Sequence, residues 1–157
     1  MIVFEVRRYV ARSGRDVIGD WLAGLKDLKA RARIAARLDR LSLGRVPGGL
    51  QGKGTKPMKD KASVSHDESM ARELRENPDF AAEYLRAAME DEAEPRVLLL
   101  ALRRVAEARG LAKVAKTAGI ERESLYRALS PRGNPRFSTL VAVARAMGLK
   151  LTFESAR

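Results

Sequence analysis

The chain of 157 residues contains no cysteine and carries a formal net charge of +11, with 45% hydrophobic and 5% aromatic residues. That length allows one domain or two small ones, and the lack of thiols excludes a disulfide framework and a thiolate metal site. The longest apolar run, Val97–Leu102, is too short to span a bilayer, and MIVFEVRRYV lacks the apolar core of a signal peptide, so a cytoplasmic protein without a membrane partner is expected.

In chain order, Ile2, Phe4 and Val6 alternate with polar or smaller neighbours at the period of a half-buried strand. Val17, Ile18, Trp21, Leu22 and Leu25 then follow a helical spacing. A second helix turns Ile34, Leu38 and Leu41 inward and carries Arg31, Arg33, Arg37 and Arg40 on its outer face. Gly44–Pro57 is glycine-rich and reads as loop or linker. Asn77-Pro78 starts a helix, because Asn caps and Pro fits the first turn; its inward face is Phe80, Ala81, Tyr84, Leu85, Ala88 and Met89. Glu94-Pro95 starts the next, with Leu98, Leu102, Val105 and Ala106 apolar and Gly110 at its end. Asn134-Pro135 starts another, with Phe137, Leu140, Val141 and Ala144 inward and Gly148 terminating it. Leu149, Leu151 and Phe153 alternate as a short final strand.

The segment that carries function is LAKVAKTAGIERESLYRALS, residues 111–130. Two short helices that cross closely need a small residue at the crossing, which is Ala115, and a glycine where the turn goes left-handed, which is Gly119. Val114, Ala118, Ile120, Leu125 and Ala128 stand where apolar anchors belong. This is the pattern of a helix-turn-helix. Its second helix then exposes Arg122, Glu123, Tyr126 and Arg127, with Ser124 beside them, to a DNA major groove. Arg122 and Arg127 are the candidate guanine readers, through a bidentate fork to O6 and N7. Lys113, Lys116 and Thr117 on the first helix, and Arg132, Asn134 and Arg136 in the loop Ser130–Pro135 and just beyond it, are expected at phosphates. Glu121 stands where Ser or Thr would cap better.

Charge is segregated along the chain. Residues 1–57 hold 13 Lys and Arg against 5 Asp and Glu, net +8; residues 58–95 hold 5 against 11, net −6; residues 96–157 hold 13 against 4, net +9. An acidic segment of this kind suits a basic protein partner and faster association with it. A pure interaction protein with vestigial DNA binding is therefore the competing reading. A ribonuclease-type toxin would need acid–base and cationic groups clustered on a sheet, and the sequence supplies no such set. His66, the single histidine, reads as a cap or turn residue. Gly52-Lys53-Gly54-Thr55 fails the phosphate-loop pattern, because Pro47 occupies the earlier glycine position and Gly54 follows the lysine. No metal and no cofactor are expected.

SHDES at 65–69, PDFAAEYLRAAMED at 78–91, AGIERESLYRALSPRGNPRFSTL at 118–140 and AMGLKL at 146–151 resemble the antidote proteins of toxin–antitoxin addiction modules, in the HigA-like class of the lambda-repressor-like fold. The resemblance implies a dimer that binds its own promoter DNA and neutralises a basic toxin. FEVRRYV, GRDVIGDWLAGLKD, RARIAARLDRLSLG and GTKPM at 54–58 resemble the opening strand, helix pair and following loop of the matching RelE/ParE-superfamily killer proteins. The central sheet of those toxins is missing here, so the order resembles a toxin's first half fused to its antidote. The expected fold is mainly α. In that expectation residues 1–46 form a toxin-like strand–helix–helix fragment, 47–64 a glycine-rich junction, 65–94 an acidic helical antidote segment, and 95–157 a helix-turn-helix bundle with a short terminal strand. A lone strand leaves open edges, so Ile2–Val6 is expected to pair, for instance with Leu149–Phe153 or with its mate in a dimer.

Overall fold

The computed structural model describes residues 7–9, 21–22, 24–43, 63–91 and 94–152. Among them the chain is mainly helical. A short strand β1 (Arg7–Tyr9) pairs antiparallel with β2 (Ser63–Ser65), Arg8 standing opposite Val64. Among the described residues, seven helices have both ends placed: α1 (Leu28–Ser42), α2 (His66–Glu76), α3 (Pro78–Met89), α4 (Arg96–Ala108), α5 (Leu111–Ala118), α6 (Arg122–Ala128) and α7 (Phe137–Ala146). The predicted strand at Ile2–Val6 and the glycine-rich run from Gly44 lie outside the described residues. The helix predicted through Val17 and Ile18 does so in large part.

Local chemistry sets the helix boundaries. Asp27 caps α1 by accepting from the Lys29 and Ala30 amides at 2.9 and 3.1 Å. Asn77 caps α3, accepting from the Phe80 amide at 3.0 Å, with Pro78 as the first helical residue. Ahead of α4, the buried Glu94 holds Arg96 through two bonds of 2.6 and 2.7 Å. That pairing, first through the hydrogen bond and then through the charge, raises the Arg96 pKa above its ordinary value.

Helix α4 is the central element, touching α1, α2, α3 and α5. It buries Val97, Ala101, Leu102, Val105, Ala106 and Ala108. Phe80, Tyr84 and Leu74 enter the same core from α3 and α2, and Leu125, Leu129, Val143 and Met147 close it at the far end.

Four expectations need correction. In α1 the deepest residues are Ala32, Ala35, Ala36 and Asp39, while Ile34, Leu38 and Leu41 are only half-buried. The helix is rotated so that its alanines allow close approach to α3 and its carboxylate reaches polar partners there. Met89 is 55% exposed, because it lies about 40° beyond Leu85, at the edge of the arc that runs from Phe80 and Tyr84 through Ala88 and Ala81. Phe137 is 62% exposed, because it is the first residue of α7 and stands about two turns before Ala144, where that same face is buried. Residues 149–152 form no strand. The Leu149 amide is already committed to the Ala144 carbonyl at 2.9 Å, closing α7, and Leu151 points to solvent.

Candidate nucleic-acid interface

The crossing of α5 and α6 is built by backbone chemistry at Gly119. There φ is 68° and ψ 29°, the left-handed region that glycine enters without strain. The Gly119 amide donates to Lys116 O at 3.2 Å and the Ile120 amide to Ala115 O at 3.0 Å. These two bonds satisfy carbonyls that the helix end would otherwise leave open, the Schellman arrangement. Glu121 is extended and offers α6 no side-chain cap. Its carboxylate instead accepts from the Ser124 hydroxyl at 3.5 Å.

Packing fixes which face of each helix is free. Val114 and Ala115 of α5, Leu125 of α6 and the following Leu129 are buried, and α5 rests on α7. Ala118, Ile120 and Ala128 are half-buried. With those sides committed, Lys113, Lys116 and Thr117 of α5 are exposed or nearly so, as are Arg122, Glu123, Tyr126 and Arg127 of α6. The loop after α6 carries Arg132, Asn134 and Arg136 at the surface, and Ser124 is half-buried.

That loop is tight for a steric reason. A Cβ on Gly133 would lie 2.0 Å from the Ala128 carbonyl oxygen, so the backbone passes against the last turn of α6 where only glycine fits. The Gly133 amide also donates to Ser130 O at 2.8 Å.

Two residues that sequence reasoning did not single out shape this face. The Arg103 guanidinium of α4 lies 3.9 Å from the centroid of the Tyr126 ring and donates to the Tyr126 hydroxyl. It also donates to Glu107 at 2.9 Å. Partial burial works against its charge, but the hydrogen bond and charge of Glu107, then Tyr126, outweigh it and raise the pKa. Tyr126 is thus oriented by a cation on α4. Arg109 ties the end of α4 to α7, donating to Met147 O at 2.5 Å. The i,i+4 spacing of Arg103 and Glu107 was visible in sequence; the contact with Tyr126, 23 residues on, was not.

Beside this region lies an apolar groove of about 450 Å³, lined among others by Leu85, Leu98, Leu102, Leu140 and Leu149, with Met89, Phe137 and Leu151 on its rim. Among the described residues no His, Asp and Glu groups have the clustering that a metal ion requires. No described helix is long and apolar enough to cross a membrane. His66 is the first residue of α2.

Comparison with known proteins places α2–α7 in one block. A family described as "probable addiction module antidote protein" matches residues 66–155. A protein of Haemophilus influenzae, itself described only as uncharacterized, is 43% identical over 61 residues, which are 39% of this chain and 63% of that protein. The chain thus spans less than two thirds of that relative's length. No solved structure matches.

Proposed function

This chain belongs to the probable addiction module antidote family, and on that premise we propose that it is a DNA-binding antidote that represses its own promoter as a dimer and neutralises a basic toxin of the RelE/ParE kind. It works by binding and not by catalysis. The observation that carries the DNA half of this reading is the row of exposed cations and polar groups on α5, α6 and the following loop, opposite the buried Val114, Ala115 and Leu125. In the lambda-repressor-like arrangement, α6 lies in the major groove, with Arg122 and Arg127 on guanine edges and Glu123, Ser124 and Tyr126 alongside. Lys113, Lys116, Thr117, Arg132, Asn134 and Arg136 hold phosphates.

Dimerisation places two such helices about 34 Å apart, one turn of the duplex. A two-fold interface needs projection and recess on one patch. The apolar groove supports this, because Phe137 and Met89 project from the rim of the recess lined by Leu98, Leu102 and Leu140. A second copy is therefore its proposed occupant. The acidic segment 58–95 supports the toxin half, and the toxin-like character of residues 1–46 supports an origin by fusion.

The test is fluorescence anisotropy with the duplex upstream of the gene against a scrambled duplex, at two salt concentrations. Preference for the native duplex should persist at the higher salt. Arg127→Ala should lower specific affinity by about 1–3 kcal/mol for each guanine fork it removes. Equal, salt-erased binding to both duplexes sinks the regulator and leaves the interaction-protein reading.

A further inference from the structure

The antidote family match begins at residue 66, so α1 (Leu28–Ser42) is not part of that module. It is nevertheless seated on it, and its packing against α3 is the most extensive between any two helices among the described residues. The seat is specific. Ala32, Ala35, Ala36 and Asp39 recur at i, i+3, i+4 and i+7, a single stripe, and all are buried. Small side chains let α1 approach Phe80, Ala81, Tyr84 and Ala88 of α3, which are buried in turn.

At the end of that stripe the Asp39 carboxylate accepts from the Tyr84 hydroxyl and pairs with Arg104 of α4 at 3.0 Å. Around it, Arg31 pairs with Glu73 of α2 and stands 5.2 Å from the centroid of the Phe80 ring. Arg40 meets both oxygens of Asp91 at 3.2 and 3.3 Å, and Arg33 reaches Glu90 at 3.8 Å. A basic helix thus lies on an acidic rim, with one carboxylate plugged into a tyrosine–arginine socket.

A module of residues 66–155 without α1 would present Phe80, Tyr84 and Arg104 to solvent, flanked by Glu73 and Asp91. Buried polar groups of this kind are matched to a partner when covered and are costly when merely buried. We propose that this face of α2, α3 and α4 is the partner-docking surface of the antidote module, and that α1 is its occupant in cis. The partner it fits is a basic protein offering an amphipathic helix of the same chemistry: a stripe of alanines, a carboxylate one turn beyond them, and arginines on both flanks. While α1 is seated, such a helix on a free toxin is excluded, so the chain's capacity to neutralise is set by how readily α1 leaves. This rests on the antidote reading and names the surface that reading requires.

The test uses the full chain and a fluorescent peptide of residues 26–43. Asp39→Arg sets a guanidinium against Arg104 and ejects α1 from its seat. That variant should bind the peptide at least about 100-fold more tightly than the wild-type chain, where the tethered helix competes at high effective concentration. The same peptide carrying Asp39→Arg should bind neither chain. Equal affinity of variant and wild-type chains for the native peptide, or equal binding of the two peptides, overturns the proposal. Hydrogen exchange on the wild-type chain decides independently, whether or not the variant folds. Amides of Ala32–Arg40 should exchange through a local opening that leaves Ala101–Val105 of α4 protected. Exchange of both segments in one common event makes α1 an integral part of the fold and removes the idea. Neither readout involves DNA, so a failure here and a failure of operator binding are told apart.

Discussion

Substitution of Gly119 probes the hinge of the candidate interface with a magnitude that follows from its geometry. At φ 68° an alanine pays the left-handed penalty of about 1–2 kcal/mol, partly offset by about 0.4–1 kcal/mol because the unfolded chain loses freedom too. No atom lies within 4 Å of the added Cβ, so nothing steric is superimposed. The net expectation for Gly119→Ala is a loss of about 1 kcal/mol, or roughly 2–4 °C in Tm for a chain of this size. Gly119→Asn should lose less, because asparagine tolerates the left-handed region. Gly148 is the natural control. Its φ is 73° and its Cβ would meet only Arg109 Nη1 at 3.8 Å, so Gly148→Ala should cost about the same. Thermal unfolding followed by far-ultraviolet circular dichroism reads all three. Operator affinity measured well below the transition should fall for Gly119→Ala and hold for Gly148→Ala, since only Gly119 sets the angle between α5 and α6. Equal losses for Ala and Asn at position 119, or a loss well beyond about 2 kcal/mol, would refute a conformational role.

Two further outcomes follow from the surroundings of this hinge. Gly133→Ala, unlike Gly119→Ala, forces a Cβ to within 2.0 Å of a backbone oxygen, so the loop must move away from α6; operator binding should be abolished and Tm should fall by more than for Gly119→Ala, and unchanged binding would show that the loop does not support the interface. Phe137→Glu places a charge on the rim of the apolar groove and should shift the proposed dimer towards monomer in analytical ultracentrifugation, whereas an unchanged oligomeric state would place any two-fold interface elsewhere.

The turn between α5 and α6 was legible in the sequence because its requirements are local. A glycine at 119, small Ala115 and buried Leu125 follow from the geometry of one crossing, and each can be read within a few residues. Asn77-Pro78 was legible for the same reason: cap and first turn are adjacent. The orientation of α1 was not. Hydrophobicity pointed to Ile34, Leu38 and Leu41, but the seat selects alanines and an aspartate, and that choice depends on Tyr84 and Arg104, 45 residues away or more. Phe137 misled for a related reason. Helical spacing names a face, and Ala144 on that face is buried, but how far along α7 the cover extends depends on where the neighbouring helices sit. The contact of Arg103 with Tyr126 likewise joins two helices whose relative placement no local pattern specifies.

The way the helices pair changes what the net charge of +11 means for DNA, and salt dependence exposes the difference. By sequence, the basic residues of α1 look as available to phosphates as those of α5 and α6. In the fold, Arg31, Arg33 and Arg40 are matched to Glu73, Glu90 and Asp91, so much of the positive charge of α1 is answered within the chain. Lys113, Lys116, Arg122, Arg127, Arg132 and Arg136 remain at the surface around the helix-turn-helix. Each phosphate they neutralise should add about 0.9 to the magnitude of the log–log slope of affinity against salt. Lys116→Ala, removing one phosphate partner from each protomer of a dimer, should therefore flatten the slope by about 1.8 and weaken native and scrambled duplexes alike. The double substitution Arg33→Ala, Arg40→Ala should leave the slope as it is, although it removes two cations for every one removed at Lys116. A slope that followed the number of cations removed, and not their position, would mean that DNA meets this protein as a diffuse positive charge, and the face formed by α5 and α6 would lose its claim to be the interface.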